Sequence, residues 1–149
     1  REIVLEAVKR DGWALQWADD TLKADREIVL EAFKRSGWLA LKWANSTLKA
    51  DRVFVREAVK KSADSLQWAD DTLKADREIV LEAVKHDGTA LQWADPTLKA
   101  DREIVLEAVK RNVWALQWAS STLKADLEFI EALRRVYKLM FASRAEALG

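Results

Sequence analysis

The residues that could take part in a reaction are few. The sequence has one histidine, no cysteine and several paired aspartates. His86 stands where the other copies of an internal repeat carry Arg10, Arg35, Lys61 and Arg111, so it reads as a solvated surface residue rather than a general base or metal ligand. The acidic pairs Asp19-Asp20 and Asp70-Asp71 lack the spaced carboxylates, central glycine and closing glutamate of a calcium loop. Asn45-Ser46, Asp95-Pro96 and Ser120-Ser121 take their place elsewhere, which marks the position as turn and cap chemistry. There is no phosphate-cradling glycine loop, no Ser-His-Asp set and no histidine pair at metal-ligand spacing. Asn45-Ser46-Thr47 fits a glycosylation acceptor, but in one unit only. The expectation is a protein that is not an enzyme, with no cofactor and no metal.

The tryptophans are the other chemically distinctive residues. Trp17, Trp43, Trp68, Trp93 and Trp118 recur in every copy of the repeat. Spacing-matched aromatics point to a core ladder between stacked units, each indole N–H finding a carbonyl; the competing reading is a row of stacking platforms for a ligand. In most units the place four residues earlier varies: Trp13, Trp38, Asp64, Thr89, Trp114. A place that accepts Asp and Thr faces solvent, and exposed tryptophan is enriched at binding hot spots, so Trp13, Trp38 and Trp114 are candidates for a partner surface. Leu5, Leu30, Leu81 and Leu106 join them, because Arg56 occupies the same place in the middle unit.

These residues are carried by a repeat. TLKAD occurs five times unaltered, ending at Asp25, Asp51, Asp76, Asp101 and Asp126, and divides the chain into units 1–25, 26–51, 52–76, 77–101 and 102–126. Each unit opens with a run such as REIVLEAVKR, apolar on one side of a 3.6-residue period, which predicts a helix of about ten residues. The preceding aspartate sits at its N-cap. Gly12, Gly37 and Gly88 are expected to end it in a left-handed conformation, with a different stop at Ala63 and Val113. A second, short helix follows over WALQWA, then a capped turn pinned by Leu22, Leu48, Leu73, Leu98 or Leu123. These leucines join the five recurring tryptophans as predicted core, and the lysine of TLKAD is expected in solvent. Unit two has one extra residue, Leu39, placed in the turn or a bulge. Residues 127–149 lose the glycine stop and keep helical spacing at Phe129, Ile130, Leu133, Val136, Tyr137 and Met140, as a single capping helix would. The fold class is all-α: a solenoid-like helical-repeat array of five units of about 25 residues with a C-terminal cap.

The 25 basic residues balance the 25 acidic ones, and no basic block stands out. That argues against nucleic acid as partner and against a polybasic membrane patch. Nor is any apolar run long enough for a transmembrane helix. The sequence carries no targeting signal and begins inside a repeat, so localisation stays open.

Units of the form LKADREIVLEAVKRDG followed by ALQWA resemble the tandem repeats of domain-of-unknown-function family 4116 (DUF4116). The resemblance spans Arg1 to Asp126; Ala63 and Val113 depart from the family's glycine, and the C-terminal segment lies outside it. It implies an all-helical repeat and brings no catalytic residue, cofactor or substrate. The functional expectation is therefore a non-enzymatic protein-protein interaction or scaffold module, such as an accessory subunit of a larger assembly. The alternative is a Trp-lined groove that binds a small apolar ligand, a pigment or a glycan.

Overall fold

The computed structural model describes residues 1–148, and their side chains through Glu146. The expected helix over 127–149 therefore has its last residue, Gly149, outside the described residues. The protein is all-α, with no strand among the described residues. The first unit comprises α1 (Glu2–Arg10), a 3-10 segment (Gly12–Trp17) and the single turn α2 (Asp20–Lys23). The second has α3 (Arg26–Ser36), a 3-10 segment (Gly37–Trp43) and α4 (Ser46–Lys49). The third has α5 (Arg52–Lys61), a 3-10 segment (Ala63–Trp68) and α6 (Asp71–Lys74). In the fourth, α7 (Arg77–His86) and Gly88–Trp93 are followed by a 3-10 turn, Leu98–Ala100. In the fifth, α8 (Arg102–Arg111) and Val113–Trp118 lead to α9 (Ser121–Lys124), and α10 (Leu127–Leu148) closes the chain.

The second element of each unit is a 3-10 helix, where the sequence predicts a short α-helix. Six residues provide few i to i−4 bonds, and the segments close with shorter rings, such as Ala14 N–H to the Asp11 carbonyl at 3.0 Å. A period of three then decides which residues are inside. Gly12, Leu15 and Ala18 fall on one side and are all buried, while Trp13 and Gln16 fall on another. The third side holds Ala14 and Trp17, and it is the side turned to the preceding unit. In later units its residues are covered: Ala90 and Ala115 are buried, and Trp43, Trp68, Trp93 and Trp118 are half-buried against the core.

Glycine has a different role from the one expected. At Gly12 and Gly88 the long helix ends one residue earlier, on an extended aspartate (Asp11, Asp87), and neither glycine has a positive φ. They are there for close approach: a Cβ on Gly88 would stand 2.1 Å from the Ala108 carbonyl oxygen of the next helix, and one on Gly12 2.5 Å from that of Ala32. Among the described residues only Gly37 has a positive φ, +67 with ψ −160, a region that only glycine enters without strain. Here α3 runs one residue further, to Ser36, and the 3-10 segment has seven residues; together the turn and the segment absorb the insertion.

TLKAD is the joint between units, and four of its five residues have a visible part in it. Its threonine hydroxyl donates to the turn's cap residue, as Thr72 does to Asp70 at 2.6 Å. Its leucine is buried in units two to five. The lysine carbonyl accepts the cap residue's N–H from the following unit: Asn45 to Lys23 at 2.9 Å, Asp70 to Lys49 at 2.8 Å, Asp95 to Lys74 at 2.9 Å and Ser120 to Lys99 at 2.8 Å. The closing aspartate caps the next long helix, Asp76 accepting from Glu78 and Ile79, and Asp25, Asp51, Asp101 and Asp126 likewise from the first turns of their helices. The lysine side chain is less solvated than expected. Lys49 Nζ donates to the Lys42 carbonyl at 2.8 Å, and burial pushes its ammonium down from the usual lysine range.

Four of these aspartates receive the arginine that opens their own unit. Arg1 reaches Asp25 at 2.7 Å, Arg52 reaches Asp76 at 2.7 Å, Arg77 reaches Asp101 at 3.0 Å and Arg102 reaches Asp126 at 2.6 Å. The other arm of each guanidinium pairs with the glutamate two residues on, Glu27, Glu78, Glu103 or Glu128. Such exposed pairs contribute little energy, about 0–1 kcal/mol each, but the fork geometry fixes how successive helices meet. Unit three has Val53 where this glutamate belongs. Arg26 turns instead to Glu57 at 2.7 Å and lies over the Phe54 ring.

Candidate functional site

The surface departs from the interior pattern at the last unit. In units one and four the 3-10 segment starts on glycine and closely approaches an alanine carbonyl of the next helix, the Gly12–Ala32 and Gly88–Ala108 contacts. In unit five both partners are larger: Val113 takes the glycine place and Leu133 of α10 the alanine place. The two backbones cannot close to the same distance, and a groove of about 770 Å³ opens between the 3-10 segment and α10. Its apolar lining is Val113, Trp114, Tyr137, Met140 and Phe141. Trp114 is 73% exposed and Phe141 63%. Tyr137 and Phe141, one turn apart on α10, stack with ring centroids 6.4 Å apart.

The charged residues that line the groove carry one sign. Arg111 and Arg144 line it, and among the described residues no carboxylate does. Arg111 is held in place by donating its Nε–H to the Lys85 carbonyl at the end of α7. Beneath the aromatic residues, Asn112 caps the 3-10 segment by accepting from Trp114 N–H at 3.0 Å, and Gln117 donates to the Trp114 carbonyl at 3.1 Å. The Trp114 backbone is therefore fixed while its ring stands in solvent. Chemically the site can take an apolar or aromatic group with a negative charge beside it.

The other expected surface residues are not gathered there. Trp13, in unit one, is 42% exposed. Trp38 is half-buried against the core. Leu5, Leu30, Leu81 and Leu106 are likewise half-buried and packed on the core, so they form no continuous open row. Arg56, in the same place, reaches Glu82 at 3.0 Å. Leu30 does line a second groove of about 610 Å³ between α3 and α5, but its rim is made of opposed charges, among them the Arg26–Glu57 and Lys34–Glu31 pairs.

Two core expectations also change. Trp17 is 83% exposed, unlike its four counterparts, which pack against the core. Leu22 is half-buried, whereas Leu48, Leu73, Leu98 and Leu123 are buried. The expectation that each indole N–H finds a carbonyl is wrong for Trp43, Trp68 and Trp93, whose Nε1 atoms are buried without a hydrogen-bond partner. The packing of these rings is apolar, and the N–H is carried in with it.

Sequence reasoning did not find the arginine forks or the C-terminal groove. The forks had a signal, since Arg, Asp and Glu recur together at unit spacing, with Val53 as the informative exception. For the groove the signal was the pair Val113 and Leu133, visible only once the glycine–alanine contact is known. Among the described residues no group of three or more His, Cys, Asp or Glu could hold a metal ion, and no helix is long and apolar enough to cross a membrane.

The profile of the family described as Domain of unknown function (DUF4116) matches three stretches of the chain, residues 1–49, 76–124 and 101–133. No curated protein and no solved structure matches it. The chain belongs to the DUF4116 family.

Proposed function

We propose that this DUF4116 chain is a non-enzymatic interaction module that holds a protein partner at the C-terminal groove. The observation that carries the reading is Trp114, 73% exposed on a fixed backbone in an aromatic groove flanked by Arg111 and Arg144. A ring held in this way loses little freedom when a partner covers it, and tryptophan and arginine are enriched among residues that dominate binding energy. The complement of this site is a peptide segment with one large apolar anchor beside aspartate or glutamate. A role as accessory subunit of a larger assembly fits a surface of this kind.

The test is selection from a random peptide library on the immobilised protein, followed by affinity measurement against variants. Enriched peptides should carry an apolar anchor next to acidic residues and lose at least about tenfold in affinity on Trp114→Ala, as hot-spot truncation does. Peptides that bind Trp114→Ala and Arg144→Glu as tightly as the parent would remove the groove from consideration.

A second reading, a small apolar anion in the same groove, is favoured by the groove's size, which falls within the roughly 300–1,000 Å³ of small-molecule sites. Trp114-dependent binding of an anilinonaphthalene sulfonate probe, with no peptide enriched, would select it.

A further inference from the structure

Units two and three are joined differently from their neighbours. The long helices α1 and α3, α5 and α7, and α7 and α8 are close neighbours, but α3 and α5 scarcely meet. The 3-10 segments of units one, three and four likewise lie on the long helix of the following unit, whereas Gly37–Trp43 stands off α5. A Cβ on Gly12 or Gly88 would run into the carbonyl of Ala32 or Ala108; one on Gly37 would meet nothing within 4 Å. The space between α3 and α5 is the groove of about 610 Å³ that Leu30 lines, and a small internal void separates Leu41 of the 3-10 segment from Phe54, Val55 and Ala58 of α5.

The sequence explains the gap. Phe33 stands where the other units carry Val8, Val59, Val84 and Val109, and Phe54 where they carry Ile3, Ile28, Ile79 and Ile104. Both rings are buried, and side chains of this size hold apart helices that valine and isoleucine let close. Val53 removes the glutamate of the fork, so among the described residues the Arg26–Glu57 pair is the one ion pair that crosses from α3 to α5. The other edge of the junction is intact. Asp70 donates its N–H to the Lys49 carbonyl at 2.8 Å, Leu48 and Leu73 are buried, and the 3-10 segments of units two and three remain neighbours. One edge is tied and the opposite edge is open.

We propose that the junction between units two and three is a hinge. Units one and two form one block and units three to five with α10 the other, and the blocks swing about the TLKAD edge, widening and narrowing the groove between α3 and α5. Motion concentrates where few contacts resist it, and here the close backbone approach and the arginine fork are both missing. Within the blocks each pair of neighbouring long helices keeps its fork, from Arg1, Arg52, Arg77 or Arg102. The fork from Arg102 ties α8 to α10 beside the Trp114 groove, so that opening does not free the two helices. The Trp114 groove lies within one block, and neither proposal depends on the other.

The test uses the full chain, whose lack of cysteine lets spin labels be placed in pairs. Lys9→Cys with Lys60→Cys, and Lys34→Cys with Lys85→Cys, each span two junctions that include the one between units two and three. Lys60→Cys with Lys110→Cys spans two junctions without it. All five lysines are exposed and hold the same place in their helices, so the labels themselves contribute equally. Double electron–electron resonance should give distance distributions at least about twice as wide for the first two pairs as for the third. Equal widths in all three pairs overturn the proposal. So does a wide distribution in only one of the first two pairs, or a third pair as wide as either, because the movement then lies at another junction.

Discussion

Ile3 and Phe129 hold the same place in successive copies of one pattern, the third position of a long helix after its cap, yet one is 86% exposed and the other fully buried. The difference is not in the residues, since both are large and apolar and both lie on helices with similar sequence. It lies in what the described structure packs against them: Phe129 is covered by the core and Ile3 is not. A repeat of this kind buries its apolar side only against a neighbour, so the value of a residue depends on its place in the array more than on its type.

That comparison can be broken most directly by truncating both residues. Phe129→Ala should cost about 3–5 kcal/mol, as for other fully buried phenylalanines, while Ile3→Ala should stay within about 0.5 kcal/mol. Chemical denaturation of the two variants checks this; equal losses would mean that Ile3 is covered in solution.

A smaller effect is expected where the interior and the C-terminal end differ at the glycine place. Gly88→Ala forces a Cβ toward the Ala108 carbonyl and should cost about 1–3 kcal/mol, whereas Val113→Gly, at the rim of the groove, should change stability by less than about 1 kcal/mol. Thermal melts of the two variants would show whether the groove is built by its own large residues or imposed by α10.

The smallest effect concerns the joints. The fork from Arg1 holds the Asp25 carboxyl below the usual carboxylate range, and the Phe129 N–H with Arg102 does the same for Asp126; at Asp76, burial opposes the shift but Arg52 and the first-turn N–H groups outweigh it. A carboxylate with a lowered folded pKa contributes stability that is complete above its ordinary value near 3.8 and is lost as pH falls through the folded value. The melting temperature should therefore decline in acid below about pH 4. Asp76→Ala should lower it already at pH 7, by a loss of about 0.5–2 kcal/mol, and should flatten the decline. A pH-independent melt would show that the forks are ornaments of the surface.

Much of this was legible because five copies of a unit lie side by side in one chain. Unit length, the long helices, the capping role of Asp25 and its counterparts and the position of the closing helix all follow from periodicity and cap chemistry, which are local. The candidate site was legible only in part. Trp114 stood out because its place also accepts Asp64 and Thr89, but the same reasoning chose Trp38, which is half-buried against the core.

The sequence by itself determined an all-α chain of capped units, because hydrophobic period, N-caps and turn chemistry act between residues a few positions apart. Tertiary structure alone decided that the short element is a 3-10 helix, that glycine at 12 and 88 serves close approach rather than a left-handed turn, and that Trp17 lies in water while Trp68 does not. Each of these depends on what stands on the far side of an interface some 25 residues away, and no local pattern carries that information.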